Sequence, residues 1–141
     1  SQAVTIMDAG LAKARALQLA PITVAVLDAG GHLIALKRED GSGILRADIA
    51  TAKAWGALGM GMASRGLAER AAKAPQFYAA LNAVSQGRLI PGPGGVLIRH
   101  SDRTVIGAVG ISGDTGENDE SCAIAGVAAA GLASDPPGGE R

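Results

Sequence analysis

Two pairs of apolar runs, each joined by three turn-forming residues, constrain this chain more than any other feature. The first pair is ITVAVLD, Ile22 to Asp28, followed after Ala29-Gly30-Gly31 by HLIALKR, His32 to Arg38. The second is GVLIRH, followed after Ser101-Asp102-Arg103 by TVIGAVGISG. Runs rich in β-branched residues read as strands, and so short a connection makes an antiparallel hairpin. Helical periodicity occupies the rest of the chain. It covers Gln2 to Ala20, where Pro21 stops it, then Arg46 to Ala63 and Arg65 to Val84, with breaks at Ser64-Arg65-Gly66 and Pro75. A last helix runs from about Asp119 to Ala133. The order α-β-β-α-α-β-β-α predicts an α+β fold with a central, mainly antiparallel sheet built from two hairpins. Both hairpins are apolar on both faces, so helices are expected on both sides, giving three α-β-α layers.

Small residues narrow the packing further. The chain holds 21 glycines, and a glycine inside a helix costs roughly 1 kcal/mol relative to alanine. Such a chain must bring its elements close together or bury faces against other subunits. The last helix, CAIAGVAAAGLA, has almost no polar face, whereas a surface helix needs one. It is therefore central or at a subunit interface, and a homo-oligomer built through small-residue helices is expected. A length of 141 residues suits one domain, placed at 1–134, with 135–141 expected to be a disordered tail.

Charge and composition exclude several classes. Thirteen basic and thirteen acidic residues balance to zero, and Trp55, Phe77 and Tyr78 are the only aromatics. That leaves neither a phosphate-neutralising stripe nor a base-stacking platform, so no nucleic-acid partner is expected. No apolar run approaches the ~20 residues of a membrane helix. The start shows no signal-peptide pattern, so the expected location is the cytoplasm, with a removed export signal left open. Cys122 is the single cysteine, which rules out an intrachain disulfide. His32 and His100 lack any zinc-site spacing.

Several residues could carry chemistry. PGPGG, Pro91 to Gly95, precedes a strand rather than a helix and is followed by Val96 and Leu97, so it is not a phosphate loop. It is either a rigid turn or a wall that lets a ligand approach main chain. Asp114, Glu117, Asp119 and Glu120 crowd the start of the last helix. They serve either as caps and dipole partners or, for Asp119 and Glu120, as acceptor or base in a pocket. Lys53 lies among alanines, and either snorkels to solvent or meets an anionic ligand. Arg38 beside a glycine loop could hold a carboxylate. His32, expected on one strand face with Ile34, Leu36 and Arg38, is either a structural histidine or a haem-iron ligand. Cys122 reads as a small buried thiol.

Taken in order, AVLDAGGHLIALKREDG, ADIATAKAWGA, PGPGGVLI, IGAVGISG and DESCAIAG resemble the GlcG/HbpS-like haem-binding family. That family includes the C-terminal domain of PduO-type corrinoid adenosyltransferases. The resemblance runs from about Ile22 to Leu132. It implies a profilin-like α-β-α domain, homo-oligomers, and haem or another tetrapyrrole as the cofactor. By motif it carries over Asp28, Arg38, Lys53, Gly94, Gly95, Asp119 and Glu120 to one cleft between the glycine-rich loop and the last helix. The first helix has no histidine, although PduO-type members can ligate iron from that region. His32 would then be the iron ligand, or a threonine or water would replace it. The expected function is small-ligand binding, of haem, another tetrapyrrole or a small organic anion. One alternative is a cofactor-independent enzyme with Asp119 or Glu120 as acid-base and Lys53 or Arg38 holding a substrate carboxylate. Another is a ligand-free accessory subunit.

Overall fold

The computed structural model describes residues 1–138. Five helices, α1 (Gln2–Ala16), α2 (Arg46–Met60), α3 (Ser64–Lys73), α4 (Pro75–Val84) and α5 (Gly116–Ala129), surround one sheet. Its strands are β1 (Thr23–Asp28), β2 (Leu33–Arg38), β3 (Gly95–Arg99), β4 (Val105–Ser112) and β5 (Ala133–Asp135). They lie in the order β2-β1-β4-β3-β5, and every pairing is antiparallel. The two expected hairpins are present and join through β1 and β4.

Alternation along the strands divides the core into two layers. Val24, Val26, Val96, Ile98, Val109 and Ile111 pack with Ile6 and Met7 of α1 and Cys122, Ala123 and Val127 of α5. On the other face Leu27, Leu97 and Ala108 meet Ala54 and Ala57 of α2. Burial on both faces explains why β1, β3 and β4 read as continuous apolar runs, whereas edge strand β2 is half-buried to exposed along its length. No described helix is long and apolar enough to cross a membrane.

Glycine lets these layers touch main chain to main chain. A Cβ on Gly110 of β4 would overlap the Ala50 carbonyl of α2, and one on Gly126 of α5 would stand 2.5 Å from the Ile6 carbonyl oxygen of α1. The small residues of α5 therefore serve α1 within the same chain. From Cys122 onward, its half-exposed or exposed positions are Ile124, Ala125, Ala128 and Ala129.

Several boundaries differ from expectation. Helix α1 ends at Ala16, not Ala20, because Gln18 adopts φ 57° and the Leu19 N–H donates to the Ala14 carbonyl, a left-handed helix stop. Helix α5 ends at Ala129, Gly131 turns the chain with φ 75°, and Ala133–Asp135 becomes β5 against β3. This short strand covers an edge that would otherwise be open, and Arg99 binds Asp135 at 3.2 Å. The tail expected from residue 135 thus begins on a strand, and residues 139–141 lie outside the described residues. A register shift between Val26 and Leu27 pairs Leu27 with Leu33. His32 consequently lies in the turn before β2, and Leu33 joins Leu36 on the α2 side of the sheet. The expected shared face of His32, Ile34, Leu36 and Arg38 is corrected by this extra residue.

Candidate functional site

Helix α2 presents two stripes at i, i+3, i+4, i+7 spacing. One, Ala50, Lys53, Ala54 and Ala57, is buried against the sheet. The other, Asp48, Thr51, Ala52 and Trp55, faces an open groove.

Lys53 does not snorkel. Its Nζ donates to the Ile111 carbonyl at 2.9 Å and to Asp119 Oδ2 at 3.3 Å, and both side chains are buried. Asp119 Oδ1 accepts the Asp114 N–H at 3.0 Å. Burial pushes the Lys53 pKa down, opposed by Asp119. Burial likewise pushes the Asp119 carboxyl up, opposed by the Asp114 N–H and Lys53. Each is the response of a charge removed from water. Gly94 and Gly95 frame the same point. A Cβ on Gly94, whose φ is 131°, would stand 2.6 Å from Lys53 Nζ, and one on Gly95 would overlap the Lys53 carbonyl. The Gly95 N–H donates to Ser64 Oγ at 2.8 Å.

The neighbouring acids are also engaged. Arg65 of α3 donates to Glu120 through Nε at 3.0 Å and Nη2 at 2.9 Å, and to Glu117 at 2.6 Å. Those carboxylates raise the Arg65 pKa further. Thr115 Oγ1 accepts the Asn118 N–H at 3.2 Å, capping α5. Cys122 is buried, and burial pushes its thiol to about 11, as a structural thiol requires.

Lys53, Gly94, Gly95 and Asp119 are thus brought together, with Glu120 beside them. The Lys53 side chain itself lies against the glycine wall. Arg38 and His32 stand apart from this cluster: Arg38 lies at the exposed end of edge strand β2, opposite Thr23. His32 and Asp28 form the turn of the first hairpin. Asp28 Oδ1 accepts the N–H groups of Gly30 at 2.9 Å and His32 at 3.0 Å, and lies 3.3 Å from His32 Nδ1. The His32 backbone N–H leads in lowering the Asp28 pKa from 3.8. An ionised carboxylate only accepts hydrogen bonds. Nδ1 therefore donates, and Nε2 is left on a side chain 81% exposed.

The groove contains residues that composition and motif did not single out. It has a volume of about 550 Å³ and runs between β2 and α2, walled by Leu33, Leu36, Ala52 and Trp55 and closed by the α4–β3 loop at Arg88. That size falls within the range of small-molecule and cofactor sites. The guanidinium of Arg88 lies 4.1 Å from the Trp55 ring centroid. A tryptophan on a helix that otherwise buries alanine was the one available signal. Among the described residues no cluster of three His, Cys, Asp or Glu could hold a metal ion.

Comparison with known proteins follows this geometry closely. The family model described as haem degrading protein HbpS-like matches residues 1–128. The crystal structure of a PduOC:haem complex is 27% identical, covers 93% of each chain and has a TM-score of 0.84. The Klebsiella pneumoniae protein ORFY is 28% identical over 92% of this chain and 88% of its own, at a TM-score of 0.82. HbpS is 26% identical over 90% of this chain and 85% of its own, at 0.78. No match is found among curated proteins. The sequence motifs, the three-layer fold and the match across most of the chain place this protein in the HbpS-like family.

Proposed function

We propose that this protein binds haem or a related tetrapyrrole in the groove between β2 and α2, with His32 as the iron ligand. The observation that carries the reading is the likeness, over 93% of both chains, to a protein crystallised with haem. The groove wall fits the group. Leu33, Leu36, Ala52 and Trp55 offer a hydrophobic wall, and removing apolar area from water stabilises by roughly 25 cal/mol per Å². His32 adjoins Leu33 in the chain and is held by a carboxylate through Nδ1, the arrangement that orients metal-bound imidazoles. When bound, haem would supply an iron centre, which His32 would hold. Lys53, Gly94, Gly95 and Asp119 act from behind the groove, holding α2 against α5 and β4, and Glu120 ties α5 to α3 through Arg65.

A haemin titration followed at the Soret band tests this. The expected result is a saturable shift at one haem per chain or per pair of chains, with the coordinated spectrum lost in His32→Ala. A featureless partition curve would overturn the proposal. Homo-oligomer formation belongs to the same reading, through the outward residues Ala125, Ala128 and Ala129 of α5, and light scattering of the purified chain tests it.

One observation favours a second reading, acid-base catalysis at Asp119 on a small carboxylate. Burial pushes the Asp119 carboxyl up and the Lys53 ammonium down, the direction in which a buried pair is tuned for proton exchange. Screening small hydroxy and oxo acids tests it: turnover abolished in Asp119→Asn would support it, and turnover unchanged in that variant would end it.

A further inference from the structure

The groove is not electrically uniform, and its two ends differ in sign. Asp48 sits in the first turn of α2 and Trp55 two turns later, about 10 Å further along the axis at 1.5 Å per residue. Arg88 lies over Trp55. The approach of Arg88 is fixed from two sides. Gln86 and Gly87 adopt φ of 58° and 76°, turning the chain out of α4, and Arg88 Nε donates to the Ser85 carbonyl at 2.8 Å. Among the described residues, Nη1 and Nη2 of Arg88 make no hydrogen bond. A guanidinium resting on an aromatic face, with its outer fork unused at the rim of an apolar groove, suits a carboxylate accepting two parallel hydrogen bonds.

From this we infer that Arg88, positioned by Trp55, anchors the carboxylate groups of the ligand, and that Asp48 repels them from the opposite end. The groove therefore selects a flat, apolar ligand carrying acid groups along one edge, and holds that edge toward the α4–β3 loop. This rests on the tetrapyrrole reading of the groove but not on the assignment of His32, because it requires no metal.

Protoporphyrin IX, which lacks iron, and its dimethyl ester separate the two questions. Both are titrated into the full chain and followed by porphyrin absorbance. The wild type is expected to bind the diacid about tenfold or more tightly than the diester, the scale of a charge-assisted hydrogen bond. Arg88→Ala should bring that ratio close to one while leaving the melting temperature unchanged. Arg88→Lys should keep part of the preference, since a point charge replaces the fork. Trp55→Phe should lower the ratio part-way, because a ring is kept but a weaker one. An unchanged ratio in Arg88→Ala would overturn the anchor while leaving the tetrapyrrole site standing. Failure of the wild type to bind either porphyrin would overturn both.

Discussion

The two stripes of α2 meet basic side chains in opposite ways. On the sheet side, Lys53 is buried and its ammonium is used by Ile111 and Asp119. On the groove side, Arg88 rests on Trp55 with its outer fork directed at no described partner. Of the two, only Lys53 was a candidate anion site in the sequence, although a basic residue near glycine is present at each. The difference is satisfaction. A buried charge that is fully paired belongs to the architecture, whereas an exposed cation with unused donors beside an apolar wall is equipped for recognition.

The most severe way to break that contrast is to remove one buried partner. Lys53→Ala leaves Asp119 buried without its cation, and a loss of about 3–5 kcal/mol in unfolding free energy is expected, measured by urea denaturation. A well-tolerated Lys53→Ala would mean that the pair is not architectural. The double change Lys53→Met with Asp119→Leu sharpens the point, since replacing both partners should recover most of the loss. Gly110→Ala comes next. Its Cβ would collide with the Ala50 carbonyl, and about 1–3 kcal/mol of overpacking is expected. Arg88→Ala should change stability by less than about 0.5 kcal/mol, while altering porphyrin discrimination as described above.

The smallest effect concerns acid. Asp28 has a folded pKa lowered below 3.8, so the stability it adds is complete above pH 3.8 and is lost as the pH falls through the lower folded value. The wild type should therefore lose this increment on acidification, and Asp28→Asn should lack that component of its pH profile, with melting temperature as the readout. Identical profiles for the two would remove Asp28 as the carboxylate that fixes His32.

The hairpins were legible because their information is local: β-branched runs and three-residue turns lie within one short segment. Strand β5 was not, since Ala133–Asp135 has no pattern of its own and exists by pairing with β3 across more than thirty residues. The proline start of α4 was also legible, as turn chemistry is written in single residues, but the break expected at Ser64-Arg65-Gly66 falls earlier: Gly61 stops α2 with φ 71°, and Ser64 to Gly66 open α3. Lys53 was ambiguous for a physical reason: alanine neighbours describe a close-packed helix equally well whether the lysine meets a ligand or an internal carboxylate. Gly94 and Gly95 stand against Lys53 as a wall to the lysine's own side chain, a relation that neither motif carries by itself. The groove was hidden because Leu33, Trp55 and Arg88 come from three elements, and because one extra residue at the hairpin bulge reversed the side of the sheet to which Leu33 points.

The most direct test of the account is a haemin titration of Thr51→Trp alongside the wild type. Thr51 lines the groove, and its hydroxyl is bonded only within its own helix, to the Ala47 carbonyl. An indole there should fill the groove without disturbing Lys53 and Asp119. The account predicts an unchanged melting temperature with haemin affinity reduced at least about tenfold, as expected when a bulky side chain occupies a ligand's place. A folded Thr51→Trp protein that binds haemin as the wild type does would contradict it and place the ligand elsewhere on the molecule.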